Sequence, residues 1–276
     1  MWLEGVTVKH LSQHTEQAAK TILRSLRRSL ERSPLPRPIA NPHSHLIIDA
    51  TWFGRYHCLI VYWDPDLKKV QWWRYTNREN DFEVVEDLVE LRKSGVICSS
   101  VTSDGSQGVA KAVDLIYPTI PHQRCVTHIQ RKGFTLLTKN PKTQAGQELR
   151  RLFEILPRIT TEEDKDNWIS YFKNWCSRWE NLLKEKNYLA EKKKWWYKHK
   201  TLRRAKSLIS RALPNLFLYI GDQTIPKTTN GLEGRFGALK QHYRQHRGLS
   251  KDRRAAFLGW YLTLTINHEK PTRFVH

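Results

Sequence analysis

Three runs of β-branched and aromatic residues, His45–Thr51, Tyr56–Asp64 and Val70–Thr76, are broken by Phe53-Gly54-Arg55 and Pro65-Asp66-Leu67-Lys68-Lys69. Breaks this short constrain the topology. A parallel crossover needs a dozen residues or more, so the runs predict an antiparallel three-strand meander. The first run carries Asp49 inside Leu46-Ile47-Ile48-Asp49-Ala50. An ionised carboxylate in an apolar strand is costly unless it is paired or metal-bound, so Asp49 has to be explained.

Downstream the period changes. Asn80 with Glu83 three residues on reads as a helix start, and Val84, Val85, Leu88 and Leu91 form an apolar stripe that ends near Gly95. A fourth strand, Val96–Ser103, runs into Asp104-Gly105; a helix through Tyr117 and a short fifth strand around Gln123–Val126 follow. The order β-β-β-α-β-α-β is that of an RNase H-like mixed five-stranded sheet, an α/β class, though order alone leaves other α/β folds open. Leu149, Leu152, Phe153 and Leu156, then Trp168, Tyr171, Phe172, Trp175, Trp179 and Leu183, fall at helical spacing without strand alternation. They predict a large all-helical insertion over 138–228. Two C-terminal helices, Asn230 to about Arg244 and Ser250 to about Thr265, follow it.

At the N-terminus, a helix from Val6 to Ser12, a break at His14 and a second helix capped by Thr15 resemble a helix-turn-helix. Ala18, Ala19, Ile22, Leu23, Leu26 and Leu30 form the apolar side of the second helix; Arg24, Arg27, Arg28 and Arg32 stand opposite. Prolines 34, 36 and 38 make an extended linker. The expected organisation is a helix-turn-helix-like segment over 1–33, a linker over 34–44, a core from 45–137 and 229–276, and the insertion between.

Charge is partitioned along this organisation. Residues 39–128 carry 9 basic and 11 acidic side chains, whereas 129–228 carry 22 and 10 and 229–276 carry 9 and 3. Of a net +20, +12 lies in the insertion stretch and +6 in the C-terminal block. Basic blocks flanking a near-neutral one favour a polyanion lying across several elements. No apolar run approaches the ~20 residues that span a bilayer, and the first residues lack a secretory core, so a membrane role is not expected. Cys58, Cys98, Cys125 and Cys176 show no paired C-x-x-C spacing, which argues against a disulfide scaffold or zinc ribbon. The expected location is the cytoplasm and nucleoid in a bacterium or archaeon, or the nucleus in a eukaryote.

Three carboxylates stand out. Asp49 lies on a central strand, Asp104 at a strand tip before glycine, and Glu233 at the start of a helix within Thr228-Thr229-Asn230-Gly231-Leu232-Glu233-Gly234-Arg235. Singly, each has a bland reading: a strand-end bond, an ordinary turn, and an acid favoured by the helix dipole. Jointly they could hold two Mg²⁺ ions about 3.5–4 Å apart, with Mn²⁺ as a substitute.

The ordered set Ile48-Asp49-Ala50-Thr51, Thr102-Ser103-Asp104-Gly105, Gln123-Arg124-Cys125-Val126-Thr127-His128, Thr229–Gly234 and His246-Arg247-Gly248-Leu249-Ser250 resembles the DDE transposases of the Mutator-like class and related bacterial insertion-sequence transposases. The resemblance implies a catalytic triad of Asp49, Asp104 and Glu233. It also implies that Cys125 and His128 are a signature near the active site, and that the enzyme hydrolyses phosphodiesters at transposon ends and joins the 3′-OH to target DNA. Transposon ends and target DNA would be the partners, with a homo-oligomer assembled on DNA. The alternatives are a domesticated DNA-binding protein and an RNase H-like nuclease that cuts without joining. The basic residues read as DNA contacts are Arg24, Arg27, Arg28, Lys192, Lys193, Lys194, Arg235 and Lys240. Trp195 and Trp196 could stack on an unpaired base or pack in the insertion's core.

Overall fold

A computed structural model describes residues 2–78, 80–246 and 248–266; Arg247 of the C-terminal motif lies outside the described residues. Two short helices, α1 (Val8–Thr15) and α2 (Ala19–Ser29), come first. The meander forms where the short breaks require it, as β1 (Asn41–Trp52), β2 (Cys58–Asp64) and β3 (Lys69–Thr76), each antiparallel to the next. It is followed by α3 (Asp81–Lys93), β4 (Val96–Ser103), α4 (Gln107–Ile116) and β5 (His122–Arg124). The Asn80 side chain accepts from Glu83 N at 2.8 Å and starts α3 as its spacing predicts. Gly95, at φ +83°, turns the chain from α3 into β4. β4 and β5 are parallel, and the strand order β3-β2-β1-β4-β5 makes a mixed sheet of RNase H-like topology.

The chain divides into two compact units, one of residues 1–99, 106–120 and 230–276, the other of 100–105 and 121–229. In the first, Ile47, Leu59 and Val61 of the sheet share a core with Leu232, Phe236 and Leu239 of the later helix Asn230–Arg244 and with Phe257 and Leu258 of the helix Lys251–Tyr261. Leu232, Phe236 and Leu239 are four and three residues apart, which puts them on one helical face.

Asp87 of α3 is fully buried in the same unit. Tyr62 Oη donates to its Oδ2 at 2.9 Å, Trp72 Nε1 to Oδ1 at 2.7 Å, and Arg74 Nε and Nη2 to Oδ1 at 2.9 and 2.7 Å. Burial pushes the Asp87 carboxyl upward, and Arg74 with these donors opposes that shift.

The N-terminal helix pair exists with a different joint. Thr7, not a residue within the pair, caps α1 by accepting from His10 N at 3.2 Å. Thr15 is the last residue of α1 rather than the cap of α2: its hydroxyl donates back to Leu11 O at 2.8 Å. The break falls at Glu16, which takes the left-handed conformation (φ +56°), and Ala18 stands at the start of α2 without a side-chain cap. Leu23 is 41% exposed, so the apolar stripe of α2 is only partly buried.

The second unit comprises α5 (Val126–Leu137), α6 (Gln144–Ile155), α7 (Glu162–Arg178), α8 (Glu180–Lys184), β6 (Lys186–Leu189), β7 (Lys194–Tyr197), α9 (Lys200–Ala212) and α10 (Leu218–Gly221). Leu149, Phe153, Trp168, Phe172 and Trp175 form its core at the spacing read from sequence. Buried indole N–H groups need acceptors, and they find carbonyls: Trp168 Nε1 donates to Leu152 O at 2.9 Å and Trp175 Nε1 to Ala145 O at 3.0 Å. The insertion is not all-helical. β6 and β7 form a hairpin in which Tyr188 faces Trp195 and Asn187 faces Trp196, with Lys193 at φ +46° in the turn. Cross-strand aromatic pairing favours strands here over the helix expected from composition. Trp195 and Trp196 are 51% and 43% exposed, which places them outside the core. No described helix is long and apolar enough to cross a membrane. The first unit also contains α11 (Asn230–Arg244) and α12 (Lys251–Tyr261), the latter capped by Ser250.

Arg74→Met should lower unfolding stability by about 3–5 kcal/mol, because it strands the buried Asp87 carboxylate. Urea titration measures this, and adding Asp87→Asn should recover part of the loss.

Candidate active site

Side chains alternate across a strand, so Asp49 shares a face with Ile47, which packs in the core with α11. Asp49 Oδ1 accepts from Ala50 N at 2.9 Å. Glu233 sits in the first turn of α11, next to the buried Leu232. A carboxylate oxygen of Asp49 and one of Glu233 lie within 4.8 Å of each other. Residues far apart in the chain are thus brought together as two hard oxygen donors, the chemistry preferred by Mg²⁺ or Mn²⁺.

Asp104 lies in the other unit, just past the tip of β4. β4 neighbours β1 in the sheet, so the strands carrying Asp49 and leading to Asp104 are adjacent. Ser103 Oγ accepts from Gly105 N at 3.0 Å and lies 2.8 Å from His122 Nε2, which fixes the turn. Gly105 is required there: its φ is +64°, and a Cβ would sit 1.8 Å from Arg124 Nε. Arg124 Nη2 donates to Asp104 O at 3.1 Å, and Lys132 Nζ lies 3.0 Å from Asp104 Oδ2. Burial pushes the Arg124 pKa below its ordinary value, and the charge of Asp104 partly offsets this.

Cys125 and His128 converge on one residue, Thr229. Thr229 N and Oγ lie 3.3 and 3.5 Å from Cys125 Sγ, and Thr229 Oγ is 3.3 Å from His128 Nδ1. Burial pushes the Cys125 thiol up, but hydrogen bonds from His128 and Thr229 outweigh it and hold the group below its ordinary value. The C-x-x-H spacing therefore clasps the segment that enters α11, four residues before Glu233.

The other sequence-derived residues lie on several different elements. Arg24, Arg27 and Arg28 are exposed on α2, and Lys192, Lys193 and Lys194 are exposed around the turn of the hairpin. The Arg235 guanidinium stacks 3.9 Å over the Trp63 ring, where burial pushes its pKa down; Lys240 Nζ is 5.9 Å from the Phe53 ring centre. Sequence reading missed Lys132 and the part played by Thr229. His128 and Lys132 are four apart on α5, so one helical face carried the signal for the lysine. Nothing local ties Thr229 to Cys125.

The family profile described as "Transposase, Mutator family" matches residues 70–207, half of the chain. The chain belongs to the Mutator family of transposases. Its activity is therefore of the transposase type. The matched stretch runs from β3 into α9 and contains Asp104, Cys125 and His128, with Asp49 before it and Glu233 after it. Among solved structures, a chain of the simian T-cell lymphotropic virus intasome in complex with PP2A regulatory subunit B56 gamma is similar at 15% identity, over 68% of this chain and 72% of that one, with a TM-score of 0.24. The HTLV-2 integrase catalytic core domain in complex with magnesium, in its trimeric form, is similar at 14% identity, over 57% and 95%, with a TM-score of 0.23. No curated protein matches this Mutator-family chain.

Thr229→Val should cost about 1–3 kcal/mol by removing the hydroxyl from the buried Cys125 thiol and the half-buried His128 imidazole. Thr229→Ser should retain most of the stability. Thermal unfolding of the two variants makes the comparison.

Proposed function

We propose that this transposase hydrolyses phosphodiester bonds at transposon ends and transfers the resulting 3′-OH into target DNA, using Asp49, Asp104 and Glu233 as its catalytic carboxylates. The observation that carries this reading is the meeting of Asp49 and Glu233 within 4.8 Å. Two like charges that close repel by about 3–4 kcal/mol at an effective dielectric near 20, which favours a cation between them. The three carboxylates would hold two Mg²⁺ ions, or Mn²⁺ in their place, and the bound ions would supply activation of the attacking oxygen and stabilisation of the leaving one. Lys132 supplies the cation that faces Asp104 in this structure.

The remaining roles concern DNA. Arg24, Arg27 and Arg28 present an exposed basic face on α2, the element proposed to engage the duplex. Lys192, Lys193 and Lys194 put positive charge beside the half-exposed Trp195 and Trp196, a combination suited to a backbone phosphate and an unstacked base. On α11, Arg235 and Lys240 follow Glu233 by two and seven residues, and they are assigned to phosphates near the carboxylates. The Arg235 guanidinium sits over the Trp63 ring, a cation–π contact that uses none of its N–H groups as hydrogen-bond donors to a side-chain oxygen. Assembly on transposon ends would bring copies of the chain together as a homo-oligomer.

Asp49→Asn, Asp104→Asn and Glu233→Gln should each abolish Mg²⁺-dependent cleavage and joining of oligonucleotides carrying the element's ends, while DNA affinity changes less than about threefold. Gel assays of cleavage and joining, paired with anisotropy, check this. Full activity in any of the three variants would remove that residue from the triad; cleavage without joining by the native protein would replace strand transfer with a nuclease function.

A further inference from the structure

Helices α5 and α9 pack against each other within the second unit and leave a groove of about 600 Å³. Arg124, Arg131, Lys132, Arg204 and Arg211 line it, no acidic residue does, and its wall includes Gly105, the residue after Asp104. The local sequence explains the convergence. On α9, Leu202, Ala205, Ile209 and Ala212 are buried, which leaves Arg204, Ser207 and Arg211 on an adjoining face. On α5, Ile129, Gly133 and Leu137 are buried, and Arg131, Lys132 and Thr135 are directed outward.

The positive charges around this groove repel one another, and the pairing of Lys132 with Asp104 offsets only part of that. Arg204 and Arg211 make no ion pair among the described residues, and Arg124 Nε is buried without a hydrogen-bond acceptor there. Seven residues of helix separate Arg204 from Arg211, about 10.5 Å of rise. That length matches roughly three nucleotides of one strand at about 3.4 Å each. The volume exceeds what one phosphate fills, and Thr135 and Ser207 add neutral hydroxyls between the charges.

We propose that this groove binds the phosphodiester backbone of one nucleic-acid strand and leads it to Asp104, with Arg204 and Arg211 holding phosphates on α9 and Arg124, Arg131 and Lys132 holding them nearer the carboxylate. The inference rests on the transposase reading above and adds a binding site that the sequence motifs do not mark.

The test is the salt dependence of binding to a fluorescein-labelled oligonucleotide of random sequence, single-stranded in one arm and duplex in the other, over about 50–200 mM salt. Arg204→Ala/Arg211→Ala removes two charges at the groove's edge and installs the best helix former, so α9 should persist, as circular dichroism verifies. The slope of log affinity against log salt should become shallower by about 1.4 units on single strand or 1.8 on duplex, with binding roughly ten- to a hundredfold weaker at the lowest salt. Lys93→Ala/Lys111→Ala, which removes the same charge at residues paired to Glu90 and Asp81, should leave the slope unchanged. A groove variant with the native slope in both arms, or a control that loses as much, overturns the proposal while leaving the transposase reading in place. A native protein that binds neither oligonucleotide overturns both.

Discussion

Thr229 is fully buried, and its backbone N–H and hydroxyl both reach the thiol of a residue 104 positions earlier. That bond decides where the chain returns from its helical excursion, and Asn230 begins α11 immediately afterwards. Other links hold the same segment: Thr102 Oγ donates to Pro226 O at 2.6 Å, Val126 N to Lys227 O at 3.3 Å, and Lys227 Nζ to Pro157 O and Ile159 O at 2.7 and 2.9 Å. Each contributes on the order of 1 kcal/mol. Together they hold the segment 226–229 in place within the second unit.

Buried aspartates in this chain have different fates, and burial alone does not separate them. Asp64 is fully buried at the end of β2, yet it accepts from Asn41 Nδ2, Ser44 Oγ and the amides of Asp66 and Leu67, so it organises the turn into β3. Asp87 is neutralised by Arg74 and held by two aromatic donors. Asp49 differs in having a second carboxylate, Glu233, close by. The arrangement that distinguishes a candidate site from a structural ion is acid beside acid, where Asp87 shows acid beside base.

What could be read from the sequence was what local patterns determine. β4 begins and ends at the residues expected from its apolar run, the Asn80–Glu83 cap starts α3, and α11 spans Asn230–Arg244 as its flanks indicate. The joint of α1 and α2 falls later than its pattern predicts, because Thr15 can either cap the next helix or bond back to its own, and the left-handed Glu16 settles that competition. Four-residue strands such as Lys186–Leu189 and Lys194–Tyr197 are too short for alternation to show, and their aromatics also suit a helical face. The pairing of Asp49 with Glu233 was legible only through the ordered motifs, since no local pattern links a strand to a helix so far along the chain. The basic groove was invisible for another reason. Its cations come from β5, α5 and α9, and only packing of the helices shows which of the unit's many basic residues share a space.

The clasp also bears on the order in which the second unit assembles. Closing a flexible loop of about 104 residues costs roughly 4 kcal/mol beyond a constant, for bonds worth only a few kcal/mol in total. The helices between its ends supply the missing drive: their shared core runs from Val126 to Ile225, and α5 packs against α9, a contact that already spans most of that loop. Condensation of that core shortens the effective loop before Cys125 and Thr229 meet. Bonds made after the folding barrier act on the rate of unfolding and leave the rate of folding almost untouched.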